Sequence, residues 1–182
     1  MKTIETLLDN NWLSVKKITY PERKVPGYVF SHEASCNGHK VAVLPYRYNE
    51  KGIRQYLLRN EYTPCWDEEE LVISSITGGV IDNDPVKTCV EELEEEAGYR
   101  VNPLKLQHLG KCFGVKSADT IYHLFTIDLT DVVQGKPTTT DSQEQESYCY
   151  WTEDADIVFA EDPLVSVMFV RLESLFKTGV IK

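Results

Sequence analysis

Residues 77–99, TGGVIDNDPVKTCVEELEEEAGY, concentrate the chemistry of this chain. A glycine pair precedes a segment that carries Glu91, Glu92, Glu94, Glu95 and Glu96 and closes on Ala97-Gly98. Asp84 followed by Pro85 forms a helix start, an N-cap side chain and then a residue with no N–H to leave unsatisfied. Gly98 suits the left-handed conformation that ends a helix. Val86, Cys89, Val90, Leu93 and Ala97 recur at three- and four-residue spacing, so at about 100° per residue they form one apolar stripe. Glu92 and Glu96 lie beside that stripe, with Glu95 about 60° behind Glu92. Three carboxylates are therefore expected in one small volume.

Such a cluster is unfavourable by itself. Like charges at helical spacing repel, and near a helix C-terminus they also oppose the dipole, each costing roughly a few tenths of a kcal/mol. The segment has no Lys or Arg after Lys87, so a bound cation is the natural compensation. Ligands that are all hard oxygens select Mg²⁺ or Mn²⁺ over zinc. The competing reading is a solvated acidic helix face.

The run resembles the Nudix box, G-x5-E-x7-R-E-U-x-E-E-x-G-U with U apolar. Gly79 matches the box glycine, Glu92 the glutamate after the arginine, Leu93 the apolar position, Glu95 and Glu96 the acidic pair, and Gly98 the last glycine. The first half departs from the pattern. Glu91 stands in the arginine position, the Gly79-to-Glu91 stretch is two residues short, and the x5-E slot has no glutamate. Of the nearest acids, Asp82 and Asp84, the latter is better explained as the helix cap. The resemblance implies metal ligation by Glu92, Glu95, Glu96 and the Gly78 carbonyl, while the missing arginine removes a group expected to orient the glutamates.

The elements that must position these residues follow from the pattern around them. Leu13–Thr19 and residues 27–32 read as short strands around the turn signal of Pro21 to Pro26. Residues 40–48 and 55–62 read as a hairpin joined through Asn49-Glu50-Lys51-Gly52. Residues 71–76 form a strand leading into the glycines, and 105–113 and 121–129 form two strands after the helix. Residues 130–146 are expected to be a loop and 147–151, SYCYW, an edge strand. Asp162-Pro163 repeats the cap-and-proline start, with Leu164, Val165, Met168, Phe169, Leu172, Leu175 and Phe176 on one face of a final helix ending near Gly179.

This order fits the α/β/α sandwich of the Nudix fold, with a mixed sheet, over residues 40–182. Residues 1–39 resemble the small antiparallel β extension of ADP-sugar pyrophosphatases, which implies a homodimer. In that subfamily an E-x-E near the following edge strand supplies a catalytic carboxylate. The resemblance makes Glu144 the first choice for general base and Glu146 the second, with Glu95 as a further catalytic candidate. A polar loop also needs acids for solubility alone, and that reading stands beside the catalytic one. Two departures bear on ADP-ribose as substrate: Glu61-Tyr62-Thr63 where the subfamily often has Q-Y-R, and Thr120 where a glutamate is usual.

Arg47 and Arg59 are candidates to meet phosphate, Arg59 being equally readable as a surface charge on a strand. Tyr28 and Tyr62 are candidates to stack a base, each equally readable as strand core, and Gly79 is a candidate substrate contact. His123, inside an apolar strand, reads as a hydrogen-bonded structural histidine.

At 182 residues, 42% apolar and 26% charged, the chain suits one globular domain with a core of its own and a small N-terminal extension. The net charge of -10 and pI near 4.9 disfavour nucleic acid and anionic membranes as partners. Cys36, Cys65, Cys89, Cys112 and Cys149 form no C-x-x-C pair and are odd in number, which disfavours a disulfide framework and favours a cytoplasmic location. The N-terminal residues lack the apolar core of a signal peptide. The expected activity is metal-dependent hydrolysis of a nucleoside diphosphate linked to another group, ADP-ribose or an ADP-sugar by resemblance. The alternatives are a nucleoside triphosphate pyrophosphohydrolase and a non-catalytic nucleotide-binding regulator.

Overall fold

The structure is a computed structural model that describes residues 2–23, 27–67, 69–139 and 146–181. Three strands, β1 (Thr3–Asp9), β2 (Leu13–Thr19) and β3 (Tyr28–Glu33), form a separate antiparallel N-terminal sheet. β4 (His39–Val43), β8 (Ile76–Gly79), β9 (Gln107–Phe113) and β10 (Ile121–Thr126) make a mixed sheet in the order β8-β4-β10-β9. Its β4 and β10 strands run parallel and the other pairs antiparallel. β5 (Tyr46–Tyr48), β6 (Arg54–Glu61) and β11 (Tyr148–Thr152) make an antiparallel sheet, onto which β7 (Val72–Ser74) pairs through β6. The helices are α1 (Pro85–Ala97), α2 (Asp154–Phe159) and α3 (Pro163–Lys177).

Strand alternation splits the core into two layers. Val41, Val43 and Leu57 pack with Cys89, Leu93 and Ala97 of α1. Ala42, Leu44 and Leu58 face the other way, onto Leu164, Val165, Met168 and Leu172 of α3. This is the expected helix–sheet–helix sandwich, because successive side chains of a strand point to opposite faces.

Several expected elements divide differently. Residues 40–48 break at Pro45, which has no N–H for a ladder, so β4 joins the mixed sheet and only β5 pairs with β6 as a hairpin. Residues 71–76 break at Ser75, whose N–H and hydroxyl turn to the buried Asp162 carboxylate at 3.0 and 2.5 Å. Asp162 thereby ties the β7–β8 junction to the start of α3, whose Leu164 N–H it also caps at 2.8 Å. Strand β1 and helix α2 were not expected. In α1 the stripe is Thr88, Cys89, Leu93 and Ala97, with Val86 on the surface. All five cysteines are free, and no described helix is long and apolar enough to cross a membrane.

His123 on β10 bears out the structural reading: it is 8% exposed, and its Nε2 shares a hydrogen bond of 3.1 Å with His39 Nδ1. Burial, aided by Lys111 and His39, pushes its pKa down to about 4. An unfolded histidine titrates near 6.5, so on acidification the unfolded chain gains this proton first. Stability is therefore complete above about pH 6.5 and falls between pH 6.5 and 4, by on the order of 2 kcal/mol from this group. In urea unfolding followed across that range, His123→Gln should flatten the slope relative to the parent.

Candidate functional site

Helix α1 begins and ends as its sequence dictates. The Asp84 carboxylate accepts from the Val86 and Lys87 N–H groups at 3.1 and 3.0 Å. At the far end Gly98 adopts φ 74° and ψ 20°, while the Gly98 and Tyr99 N–H groups close on the Glu94 and Leu93 carbonyls. The loop after β10 covers the Glu95 and Ala97 carbonyls of this end. Gln134 Nε2 donates to the Ala97 carbonyl at 2.9 Å, and the Thr138 and Thr139 N–H groups donate to the Glu95 carbonyl at 2.9 and 3.2 Å.

The five glutamates of α1 have five different fates. Glu91 is on the surface, 3.9 Å from Lys87 Nζ. Glu94 pairs with Arg100 at 2.6 Å. Glu95 is exposed. Glu96 turns inward, its side chain only 6% exposed, and one oxygen contacts Arg59 Nη1. Its other oxygen, Oε2, is buried with no hydrogen-bond partner among the described residues. Glu92 lies half-buried against β8, where a Cβ on Gly78 would overlap its carboxylate. The expectation that Glu92, Glu95 and Glu96 share one volume is corrected: among the described residues no three Asp, Glu, His or Cys side chains are placed to hold one ion. Arg59 draws Glu96 into the protein while Glu95 stays in water.

Arg59 is not the surface charge that was one of its readings. Its side chain is 3% exposed and reaches Glu61 at 3.5 Å as well as Glu96. The strand places it centrally, opposite Cys149 of β11 on one side and Ser74 of β7 on the other. The Cys149 thiol, raised to about 11 by burial, donates to the main-chain carbonyl of Glu96 at 3.6 Å. Burial also lifts the Glu61 carboxyl above its ordinary range, with Arg59 acting in the opposite sense.

A cavity of about 370 Å³ opens beside this layer, with Glu33, Lys40, Glu61, Trp66, Thr77 and Tyr122 among its walls. Thr77 immediately precedes Gly78, and Glu61 belongs both to the cavity and to the Arg59 pair. Lys40 Nζ meets Glu33 at 2.8 Å. Burial alone would lower the Lys40 pKa, yet the Glu33 carboxylate outweighs it and leaves the ammonium above its ordinary value. Strand β3 of the N-terminal sheet closes one side, since the Ser31 N–H donates to the Ser117 carbonyl at 2.8 Å. Tyr28, half-exposed, donates its hydroxyl to the Lys116 carbonyl and lines an adjoining hollow with Phe113 and Val115.

The other candidate residues are distributed as follows. Tyr62 is exposed, between the cavity residues Glu61 and Thr63, so neither it nor Tyr28 is strand core. Gly79 lies against Cys36. Arg47 is at the opposite end of β6 from Arg59, opposite Gln55, with its guanidinium 4.2 Å from the Trp151 ring centre. Glu146 is exposed just before β11, and Glu144 lies outside the described residues. A larger cavity of about 580 Å³, with Tyr46 and Asp128 in its walls, contains none of the α1 glutamates. Lys40, Trp66 and Tyr122 were not singled out from sequence, and Glu61 only as a departure from the subfamily's Q-Y-R. The one available signal was Arg59 itself, a guanidinium at the end of the apolar run Tyr56-Leu57-Leu58 that needs a buried partner.

No family model matches the chain, and no curated protein matches it in sequence. Solved structures do match in fold. An ADP compounds hydrolase superposes with a TM-score of 0.66 at 18% identity, covering 98% of this chain and 95% of that one. A Listeria monocytogenes protein assigned to the NUDIX hydrolases gives 0.56 at 18% identity, over 78% of this chain and 95% of its own. The C-terminal domain of mouse MUTYH, solved in complex with human PCNA, gives 0.54 at 13% identity, over 75% of this chain and 87% of its own. The chain therefore has the Nudix hydrolase fold, and the first of these matches extends through the N-terminal sheet.

Gly78 offers a direct test of the Glu92 placement. Its φ is not in the left-handed region, so alanine is permitted by the backbone, and the clash falls on the end of a flexible side chain. Gly78→Ala should leave the thermal midpoint within a few degrees of the parent while displacing the Glu92 carboxylate. A crystal structure of the variant is expected to show the Glu92 carboxylate moved away from β8.

Proposed function

We propose that this protein hydrolyses the diphosphate bond of a nucleoside diphosphate joined to a second group, of the ADP-ribose or ADP-sugar kind, with Mg²⁺ or Mn²⁺ held at Glu92 and Glu96. The observation that carries the reading is the buried, unpartnered Oε2 of Glu96. A carboxylate oxygen taken from water without a partner is costly, and a hard dication is the partner that its chemistry suits. The donors that such an ion would use are Glu96 Oε2 and the carboxylate of Glu92, which occupies the space that Gly78 leaves. A bound dication would neutralise the charge that develops on diphosphate oxygens and acidify water.

The chain's own residues do the rest of the work in this reading. The cavity beside Thr77 takes the nucleoside, with Trp66 as a stacking surface and the Glu33–Lys40 pair as polar wall. Water attacks phosphorus, the bridging P–O bond breaks, and a carboxylate of the 144–146 segment takes the proton of the attacking water. The described flanks support that role: Thr139 is bonded to the Glu95 carbonyl, and Tyr148 faces Asn60 of β6, one residue from Arg59. General base catalysis of this kind contributes on the order of 10²–10⁴ in rate. The protein acts as a homodimer through its N-terminal sheet, a reading supported by the exposed Ile4, Leu8 and Trp12, the last 76% exposed.

A non-catalytic nucleotide-binding role is a second reading, favoured by one observation: Glu96 is already matched by a guanidinium, with no three-acid cluster among the described residues.

A turnover screen of nucleoside diphosphate compounds and triphosphates with Mg²⁺ or Mn²⁺, read by mass, separates these readings. Two monophosphate products from a nucleoside diphosphate compound are expected. Inorganic pyrophosphate from a triphosphate would indicate the triphosphate activity instead, and binding without turnover the regulatory role. Glu92→Gln and Glu96→Gln should each remove most of the activity. Glu144→Gln should lower kcat by roughly 10²-fold or more with metal affinity unchanged.

The dimer has its own test. Sedimentation should give twice the chain mass for the parent and a monomer for Leu8→Asp combined with Trp12→Asp.

A further inference from the structure

We infer that Arg59 is a positioning residue for Glu96, supplying from strand β6 the cation that helix α1 lacks after Lys87. The inference rests on the reading of Glu96 as a metal ligand. Three observations support it. First, position 91 cannot serve the buried layer: its glutamate is on the surface with Lys87. Second, the Arg59 guanidinium, 3% exposed, bridges two elements, with Nη1 at Glu96 of α1 and Nε 3.5 Å from Glu61 of the cavity wall. Third, Glu96 is held at its main chain by the neighbouring strand, through the Cys149 thiol, and Cys149 is directly opposite Arg59 in the ladder. The β6–β11 pair therefore grips Glu96 at both ends.

The consequence is an assignment of the two carboxylate oxygens. Oε1 is committed to Arg59, and Oε2 is the one left for an ion. A planar guanidinium holds a carboxylate in a fixed plane, whereas an ammonium fixes only a distance. Glu61 lies 3.5 Å from Nε of the same guanidinium, so one buried charge faces both the wall of the cavity and the ligand helix. This role differs from that of a phosphate contact, the other reading of Arg59. A positioning residue changes metal affinity and kcat, whereas a phosphate contact changes KM.

The test compares the parent with Arg59→Met, Arg59→Lys, Glu96→Gln and the double variant Arg59→Met/Glu96→Gln. Mn²⁺ uptake is read by electron paramagnetic resonance, with kcat and KM for the substrate found in the screen and the thermal midpoint of each variant. Arg59→Met should weaken Mn²⁺ binding by about tenfold or more and lower kcat, with KM changed by less than threefold. Arg59→Lys should fall between it and the parent. In the Glu96→Gln background the same change should have no further effect on Mn²⁺ affinity. Should Arg59→Met fail to fold, the lysine variant and the double variant, in which neither buried charge remains, give the same comparison.

Parental Mn²⁺ affinity in Arg59→Met or Arg59→Lys, or a raised KM with kcat unchanged, would overturn the positioning role while leaving the proposed activity standing. A parent protein that takes up no Mn²⁺ would overturn both, leaving Arg59 as the counter-charge of Glu96 and nothing more.

Discussion

The contact between Arg59 and Glu96 is the constraint on which the rest of the site depends. A glutamate with 6% of its side chain exposed and an arginine with 3% cannot be left singly in the interior, since an unpaired buried charge costs several kcal/mol. The strand that bears the arginine must therefore lie against the last turn of the helix that bears the glutamate. That requirement fixes the distance between β6 and α1, and with it the position of Glu61, which the same guanidinium holds on the cavity side. Replacing such a pair by apolar residues is often neutral for stability. Retaining it therefore costs the fold something for which packing alone gives no return.

Missing side chains do the complementary work. Gly78 leaves the space that the Glu92 carboxylate fills. Gly98 stops α1 in the left-handed region, and a Cβ there would come within 2.5 Å of the Gly135 carbonyl oxygen. The close approach of these glycines lets the loop after β10 fold over the helix end and cap the Glu95 and Ala97 carbonyls. Covering those carbonyls offsets part of the unfavourable end charge that a glutamate-rich last turn would otherwise face. Strand β11 pairs with β6 beside this helix end.

What was legible in the sequence was local. The cap at Asp84, the proline at 85, the stop at Gly98 and the matching start of α3 depend on neighbours in the chain, and each is found where the residue types put it. The β5–β6 hairpin and the β11 edge strand belong to the same class. Pro45 and Ser75 are also local signals, and both were passed over because the apolar pattern runs across them. The charge balance of α1 was not legible, because the cation that answers Glu96 comes from 37 positions earlier in the chain, on another element. The convergence of three glutamates failed for the same reason: helical spacing states which residues share a face, and a partner outside the helix decides which of them turns inward. The cavity was hidden more completely, since β3, β4, the segment after β6 and the 113–122 region each contribute to its wall.

The electrostatics of that cavity bear on how an acidic protein would receive the proposed diphosphate substrate. Lys40 is the cation among the described residues that line it, and its charge is already answered by Glu33 at 2.8 Å. Arg59, behind the wall, is answered by Glu61 and Glu96. A diphosphate entering there meets side chains whose charges are spent on one another, inside a chain of net charge -10. Under the proposed function, attraction would come from a charge the protein does not itself carry, and a dication held by Glu92 and Glu96 would supply it. In that proposal the acids of α1 would use the substrate's own counter-ion as the adhesive, and the protein's acidity would be a condition of binding instead of an obstacle to it.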